Sequence, residues 1–380
     1  MDQNLLIRDE DKILLSCARN QKTAQSKSDI KKLLYNDLEW DYLTQRASQH
    51  KLLPLLYWNL KEFEEEVPEN ILKSLKLNFN RNAKNNLLML GELLKLLDLF
   101  EKEGIIAIPY KGPLLAISAY KNLVLRQFDD LDIVVNKNNI LKVKEILISN
   151  NYTPQFDLDG FKERRFIQSQ REYKFFNSET EINLEIQWQF QGVSFSLSDD
   201  LGFTDPKNIE TIEINNKRIS SLSPENMLLV LCIHASGHYW ERLSWICDVS
   251  ELIQSKNIDW EYTIKKAEEL GIKRLLWVNL FLAVDLLGLN LPDDISKHLE
   301  SKTIQNLGFI VKKRIFIPYS DNFFRSASLR LKIREKRSHQ IQDGLKIMFL
   351  PTNEEWDKSV LKSFLPPFSY FYRFIQVLSD

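Results

Sequence analysis

Apolar positions recur at three- and four-residue spacings through the first hundred residues, a period that predicts helices. In DLEWDYLTQRASQHKLLPLLYWNL the spacing is carried by Leu38, Tyr42, Leu43, Leu52, Leu55 and Leu56. Val67-Pro68-Glu69-Asn70 reads as a turn opening the next helix, since proline is tolerated in or before a first turn. That helix is expected from Ile71 to Glu103, with Leu87, Leu90, Leu94 and Leu97 as its apolar stripe.

The period changes at Gly104. GIIAIPY is short, apolar and β-branched and reads as a strand, followed by a turn and short helix in KGPLLAISAYKN. FDDLDIVV is a second strand, LKVKEILISN a helix, and Tyr152–Gly160 a loop. REYKFF and EINLEIQWQF are strands joined by the polar turn NSET. Strands alternating with helices mark an α/β or α+β unit, placed at residues 101–222. Helical patterning then returns, with Ser223 as N-cap and Pro224 at the first helical position. Breaks fall near Leu291-Pro292, Pro318, Pro351 and Pro366-Pro367. The expected fold is α+β: a small mixed sheet flanked by helical regions at 1–100 and 223–380. No internal repeat or low-complexity segment interrupts this plan.

Composition adds bounds. With 380 residues, the chain exceeds one typical domain. Hydrophobic residues at 44% and charged residues at 27% are ample for a globular core. The formal net charge of −1 does not call for a polyanionic partner, although local basic patches can exist. Three cysteines, none at CxxC spacing, fit reduced thiols. Residues 1–12 carry no apolar signal region, and no stretch reaches the roughly 18 apolar residues of a membrane span. These features predict a soluble cytoplasmic protein with no membrane association.

Candidate chemistry concentrates in the middle unit. Along a strand, side chains alternate between faces, so Asp130 and Asp132 point one way and Leu131 and Ile133 the other. Two carboxylates on one face repel each other, and a cation between them relieves the repulsion. Oxygen ligands of this kind suit Mg²⁺, which fills its shell with water and substrate phosphates. A solvated strand edge would give the same spacing, but paired acids on a half-buried strand are costly without a partner. In Ile182–Trp188, Asn183, Glu185 and Gln187 share one face, so Glu185 joins the acid pair if the two strands are neighbours. Gly112, between strand and helix, allows close backbone approach to a phosphate, and Lys111 adds a point charge. The P-loop spacing is absent. Arg126 either contacts a triphosphate or forms an ordinary ion pair.

The ordered set KGPLLAISAYKN, Arg126 with DLDIVV, and INLEIQW resembles the uncharacterised bacterial nucleotidyltransferases, a branch of the DNA polymerase beta-like superfamily. Most of the chain takes part, including LLPLLYWNL, IHASGHYWERLSWICDV and the tail with Pro351-Thr352, Leu365-Pro366 and Tyr370 to Arg373. The resemblance implies transfer of a nucleoside monophosphate from an NTP, ATP being the expected donor, with release of pyrophosphate. It implies Asp130, Asp132 and Glu185 as catalytic and metal-binding residues for two Mg²⁺ ions, with Mn²⁺ as a substitute. Lys111, Gly112 and Arg126 are then the nucleotide-binding set. Two departures stand out: Gln187 occupies a position where histidine is usual, and Asp129 adds an acid facing away from the pair.

Other features are less committed. His234 and His238, four apart, share a helix face, but Ala235 replaces the glutamate a metalloprotease needs and no third ligand is evident. A structural or substrate-facing role fits them better. Trp240, Trp245 and Asp248 are expected to pack this helix pair against the catalytic unit, with Arg242 as a candidate partner of Asp248. The Arg325–His339 segment reads as a solvated helix face or a polyanion contact. The acceptor is open among small molecule, peptide, protein and RNA. A non-catalytic nucleotide- or partner-binding protein, including a toxin–antitoxin-like component, is the second reading.

Overall fold

The computed structural model describes residues 7–21, 23–190, 202, 205–317 and 323–349, with backbone alone for 323–327 and 346–349. The tail motifs, the breaks at Pro318, Pro351 and Pro366-Pro367, and the side chains of Phe323, Phe324 and Arg325 lie outside the described residues.

Four short helices open the chain: α1 (Asp9–Cys17), α2 (Ala24–Leu34), α3 (Trp40–Gln49) and α4 (Leu53–Leu60). The long α5 (Glu69–Lys102) follows directly after Pro68. The buried apolar residues of its C-terminal half, Met89, Leu90, Leu93, Leu96, Leu97 and Phe100, keep the three- and four-residue rhythm. The expected stripe is off by a turn edge at its start, because Leu87 faces outward and is 60% exposed.

The middle of the chain supplies β1 (Ala107–Pro109), α6 (Gly112–Ser118), β2 (Asp130–Val135), α7 (Ile140–Ile148), β3 (Tyr152–Pro154), α8 (Gly160–Ser169), β4 (Glu172–Asn177) and β5 (Ile182–Gln187). Their sheet runs in the order β1-β2-β5-β4-β3. Only the β2–β5 pair is parallel, and it aligns Asp130 with Asn183 and Asp132 with Glu185. The sheet is therefore mixed and small, and the fold is α+β. Tyr152–Gly160 is not all loop. It holds the edge strand β3, and Gly160 starts the polar helix α8, which buries little besides Phe166 and Ile167. A hairpin, β6 (Ile209–Ile214) and β7 (Lys217–Leu222), follows, its turn formed by Asn215 and Asn216 with positive φ. Asparagine tolerates that left-handed conformation better than most residues, and it suits a tight hairpin.

The C-terminal helices are α9 (Pro224–Gly237), α10 (Leu243–Ser255), α11 (Trp260–Glu269), α12 (Lys273–Leu287), α13 (Asp293–Ser296), α14 (Lys302–Phe316), α15 (Phe323–Ile333) and α16 (Arg337–Phe349). Ser223 caps α9 by accepting from Asn226 N–H. No described helix is long and apolar enough to cross a membrane. The three cysteines are buried free thiols.

Two apolar clusters result. One joins α1–α4 to α9–α14 and takes in Ile108, Tyr110 and Val134 from the sheet. The other packs Leu131, Ile133 and Val135 with the last turns of α5 and with α7 and α8. Strand alternation thus turns the Asp130–Asp132–Val134 face of β2 toward the C-terminal helices.

Candidate active site

Three expected acids meet on that face. Asp132 is buried and Asp130 and Glu185 are half-buried, with Glu185 beside Asp132 on the parallel strand. Each has a different set of partners. Asp132 Oδ1 takes the Lys111 ammonium at 2.9 Å and Gln187 Nε2 at 3.1 Å. Glu185 takes Lys174 Nζ on Oε1 at 2.6 Å and Gln187 Nε2 on Oε2 at 3.1 Å. The Asp130 carboxylate makes no hydrogen bond or ion pair among the described residues, and the Lys111 charge acts on it from a distance.

The electrostatics follow from this crowding. Burial lifts the Asp132 carboxyl to about 7; Lys111 opposes the shift, and Asp130 and Glu185 add to it. Asp130 is also raised, by burial first and by Glu185. Burial pushes Glu185 up too, but Lys174 and Lys111 outweigh it and leave that carboxyl below its ordinary value. Burial disfavours the Lys111 charge, yet Asp132, Asp130 and Glu185 together hold it firmly protonated.

Lys111 precedes Gly112, whose φ of +53° falls in the left-handed region that glycine reaches without strain. A Cβ there would sit 3.5 Å from the Asp130 carbonyl oxygen, so this turn packs directly on β2. On its other side Lys111 Nζ lies 3.5 Å from His234 Nδ1. His234 stays neutral, its pKa driven well down by burial and then by Lys111. His238, pushed down to about 4 mainly by burial and Lys111, packs with His234 against Trp245. The histidine pair therefore sits on the wall of the site. Trp240 instead turns into the helical core, its indole N–H donating to Asn279 at 2.8 Å.

Arg126 is placed beside the acids but is largely committed. Its Nε and Nη2 grip Asp248 at 2.8 and 2.9 Å, and Tyr120 donates to the same carboxylate at 2.8 Å. Asp248 thus pairs with Arg126, not Arg242, whose guanidinium lies over Trp245. Arg126 Nη1 is buried and has no hydrogen bond among the described residues. Asn86 donates to the Leu123 and Arg126 carbonyls and fixes the loop that leads into β2. Asp129 precedes β2 in an exposed bend and pairs with Lys51. Lys174 and the Tyr110–Gln187 contact were not anticipated; the only signal for Lys174 is a lone cation between Tyr173 and Phe175 on β4.

Among the described residues, no group of three or more His, Cys, Asp and Glu side chains is gathered closely enough to define a metal centre outright. The donor chemistry nevertheless fits a hard divalent cation. All three candidates are carboxylates, and one N–H-bearing nitrogen, Gln187 Nε2, already bridges Asp132 and Glu185.

A mixed sheet presenting a D-x-D pair and an acid on the adjacent strand, with a Lys-Gly turn beside them, defines the class as nucleotidyltransferase-like. Residues 36–288 match the family described as uncharacterised nucleotidyltransferase, and the chain belongs to it. No curated protein and no solved structure matches the chain.

Proposed function

We propose that the chain transfers a nucleoside monophosphate from an NTP, ATP in the first instance, to an acceptor hydroxyl and releases pyrophosphate. The observation that supports this reading most is Asp130. It is a half-buried carboxylate with no hydrogen bond or ion pair among the described residues, on the same face as Asp132, and burial with the nearby Glu185 outweighs the pull of Lys111 and Arg126 to raise its pKa. Such a group is costly unless a cation joins it.

Asp130, Asp132 and Glu185 would hold divalent ions, two Mg²⁺ with Mn²⁺ as a substitute. Bound there, the ions supply charge neutralisation at the phosphates and a lowered pKa for the acceptor hydroxyl. The chain's own groups do the rest. Lys111, kept protonated by the three acids, places a fixed positive charge where charge develops on the departing pyrophosphate. The Gly112 turn, packed on β2 beside Asp130, would bring its backbone N–H groups toward the phosphates. Arg126 keeps Nη1 for an oxygen ligand while Asp248 holds its plane. The acceptor oxygen bonds to the α-phosphorus, the bond to the bridging oxygen breaks, and the hydroxyl proton leaves to solvent. The acceptor is a small molecule, a peptide, a protein hydroxyl or an RNA end.

Purified protein incubated with Mg²⁺, α-³²P-labelled NTPs and cell extract should label an acceptor. Asp130→Asn, Asp132→Asn and Glu185→Gln should each reduce labelling by roughly 100-fold or more, the scale of losing a main electrostatic group, while circular dichroism is unchanged. A folded variant with wild-type labelling would remove that residue from the site.

A further inference from the structure

Gln187 closes β5 and is buried, 3% exposed, between Val134 on one neighbouring strand and Glu172 on the other. Its side chain lies on the Glu185 face of the strand. A primary amide offers two N–H donors at one end and an acceptor at the other, so its orientation has chemical consequences. Here Tyr110 decides it. The Tyr110 hydroxyl is 2.7 Å from Gln187 Oε1 and 3.3 Å from Asp132 Oδ1. It carries one proton, and the shorter contact takes it. A phenol is protonated at neutral pH and so acts as the donor.

With Oε1 accepting from Tyr110, Nε2 must face the acids. It donates to Asp132 Oδ1 and Glu185 Oε2, both at 3.1 Å. One nitrogen with two hydrogens thus spans two carboxylates that stand in register on parallel strands and would otherwise repel. The reverse orientation would set Oε1 against both anions. Lys111, Tyr110 and Gln187 all approach Asp132 at Oδ1, and among the described residues Oδ2 takes no hydrogen bond.

We propose that Gln187, locked in one orientation by Tyr110, is a positioning residue that sets the spacing of Asp132 and Glu185 and thereby the affinity of the acids for a divalent cation. This rests on the reading above that these acids bind metal. Gln187 does not touch the substrate; it acts through the carboxylates. A merely structural amide would satisfy buried groups and affect stability, but removing it would leave cation affinity alone.

The test uses the full chain and Mn²⁺ alone, without nucleotide, with free Mn²⁺ followed by electron paramagnetic resonance and folding followed by thermal melting. Gln187→Met keeps length and approximate volume but removes both ends of the clamp. It should raise the Mn²⁺ Kd by roughly 10-fold or more, the usual loss when an outer partner of a ligand is deleted. Tyr110→Phe, which removes a single oxygen, should move Kd in the same direction by a smaller factor, and it decides the matter if Gln187→Met does not fold. Wild-type Mn²⁺ affinity in both folded variants would overturn the proposal. A wild-type protein with no Mn²⁺ site sensitive to Asp132→Asn would instead overturn the metal-binding reading beneath it, an outcome visible before either variant is measured.

Discussion

Arg126 and Asp248 are 122 residues apart and meet in a two-pronged pair almost without solvent, with Tyr120 as a third member. Removing one partner of such a pair strands the other charge in the interior. Asp248→Ala should therefore cost about 3–5 kcal/mol in urea unfolding. A loss under about 1 kcal/mol would mean the pair is well hydrated in solution. Glu251 behaves differently. Its carboxyl accepts from Asn20 N–H, yet burial lifts it to about 7. The fold favours its neutral form, so its contribution is full below the unfolded carboxyl pKa and is lost as pH rises through about 7. Glu251→Gln keeps the acceptor and cannot ionise. It should raise stability at pH 8 relative to wild type by up to about 3 kcal/mol, with little change at pH 4. An unchanged difference between the two pH values would contradict this. At this scale the alternation of Asp130 with Asp132, and of Asn183 with Glu185, was readable from period alone. The clamp through Tyr110 and Gln187, 77 residues apart, was not, because no local spacing encodes which side chains meet across a sheet.

Elements were legible in proportion to their period. The long amphipathic α5 and the strand runs around Asp130 and Glu185 announce themselves, and the Ser223-Pro224 start of α9 follows from capping chemistry. β3 and α8 did not, since a three-residue edge strand has no period and α8 is mostly polar. The parallel β2–β5 pairing, which brings Glu185 beside Asp132, joins strands distant in sequence and depends on the whole sheet. Close packing of helices also leaves little trace. Gly308 lets α14 approach α12 so nearly that a Cβ there would lie 2.2 Å from Phe281 Cδ1. Gly308→Ala must displace that ring and should cost about 1–3 kcal/mol in thermal or urea unfolding. A neutral result would show that Phe281 turns aside freely.

Over the whole molecule, the first four helices do not form a core by themselves. They share one with α9–α14, and the sheet contributes to it from the face that carries the acids. Lys111 to His234 and Arg126 to Asp248 cross the same boundary. The site is thus completed by the C-terminal helices, which hold the Lys-Gly turn and the loop before β2 in place. A fragment of residues 101–222 should lack a cooperative thermal transition and Mn²⁺ binding, as checked by calorimetry and titration. A cooperative melt would show that the sheet stands alone. The linear order of the motifs indicated the sheet and its flanking helices, but not that α1–α4 and α9–α14 share a core on one side of it.

The central claim is transfer at the α-phosphorus, and parallel incubations with α-³²P- and γ-³²P-labelled ATP test it most directly. The account predicts that α-label moves to an acceptor while γ-label leaves as pyrophosphate, and that both events fail in Asp130→Asn/Asp132→Asn. Label from the γ position on the acceptor, or pyrophosphate release that survives in the double variant, would contradict it.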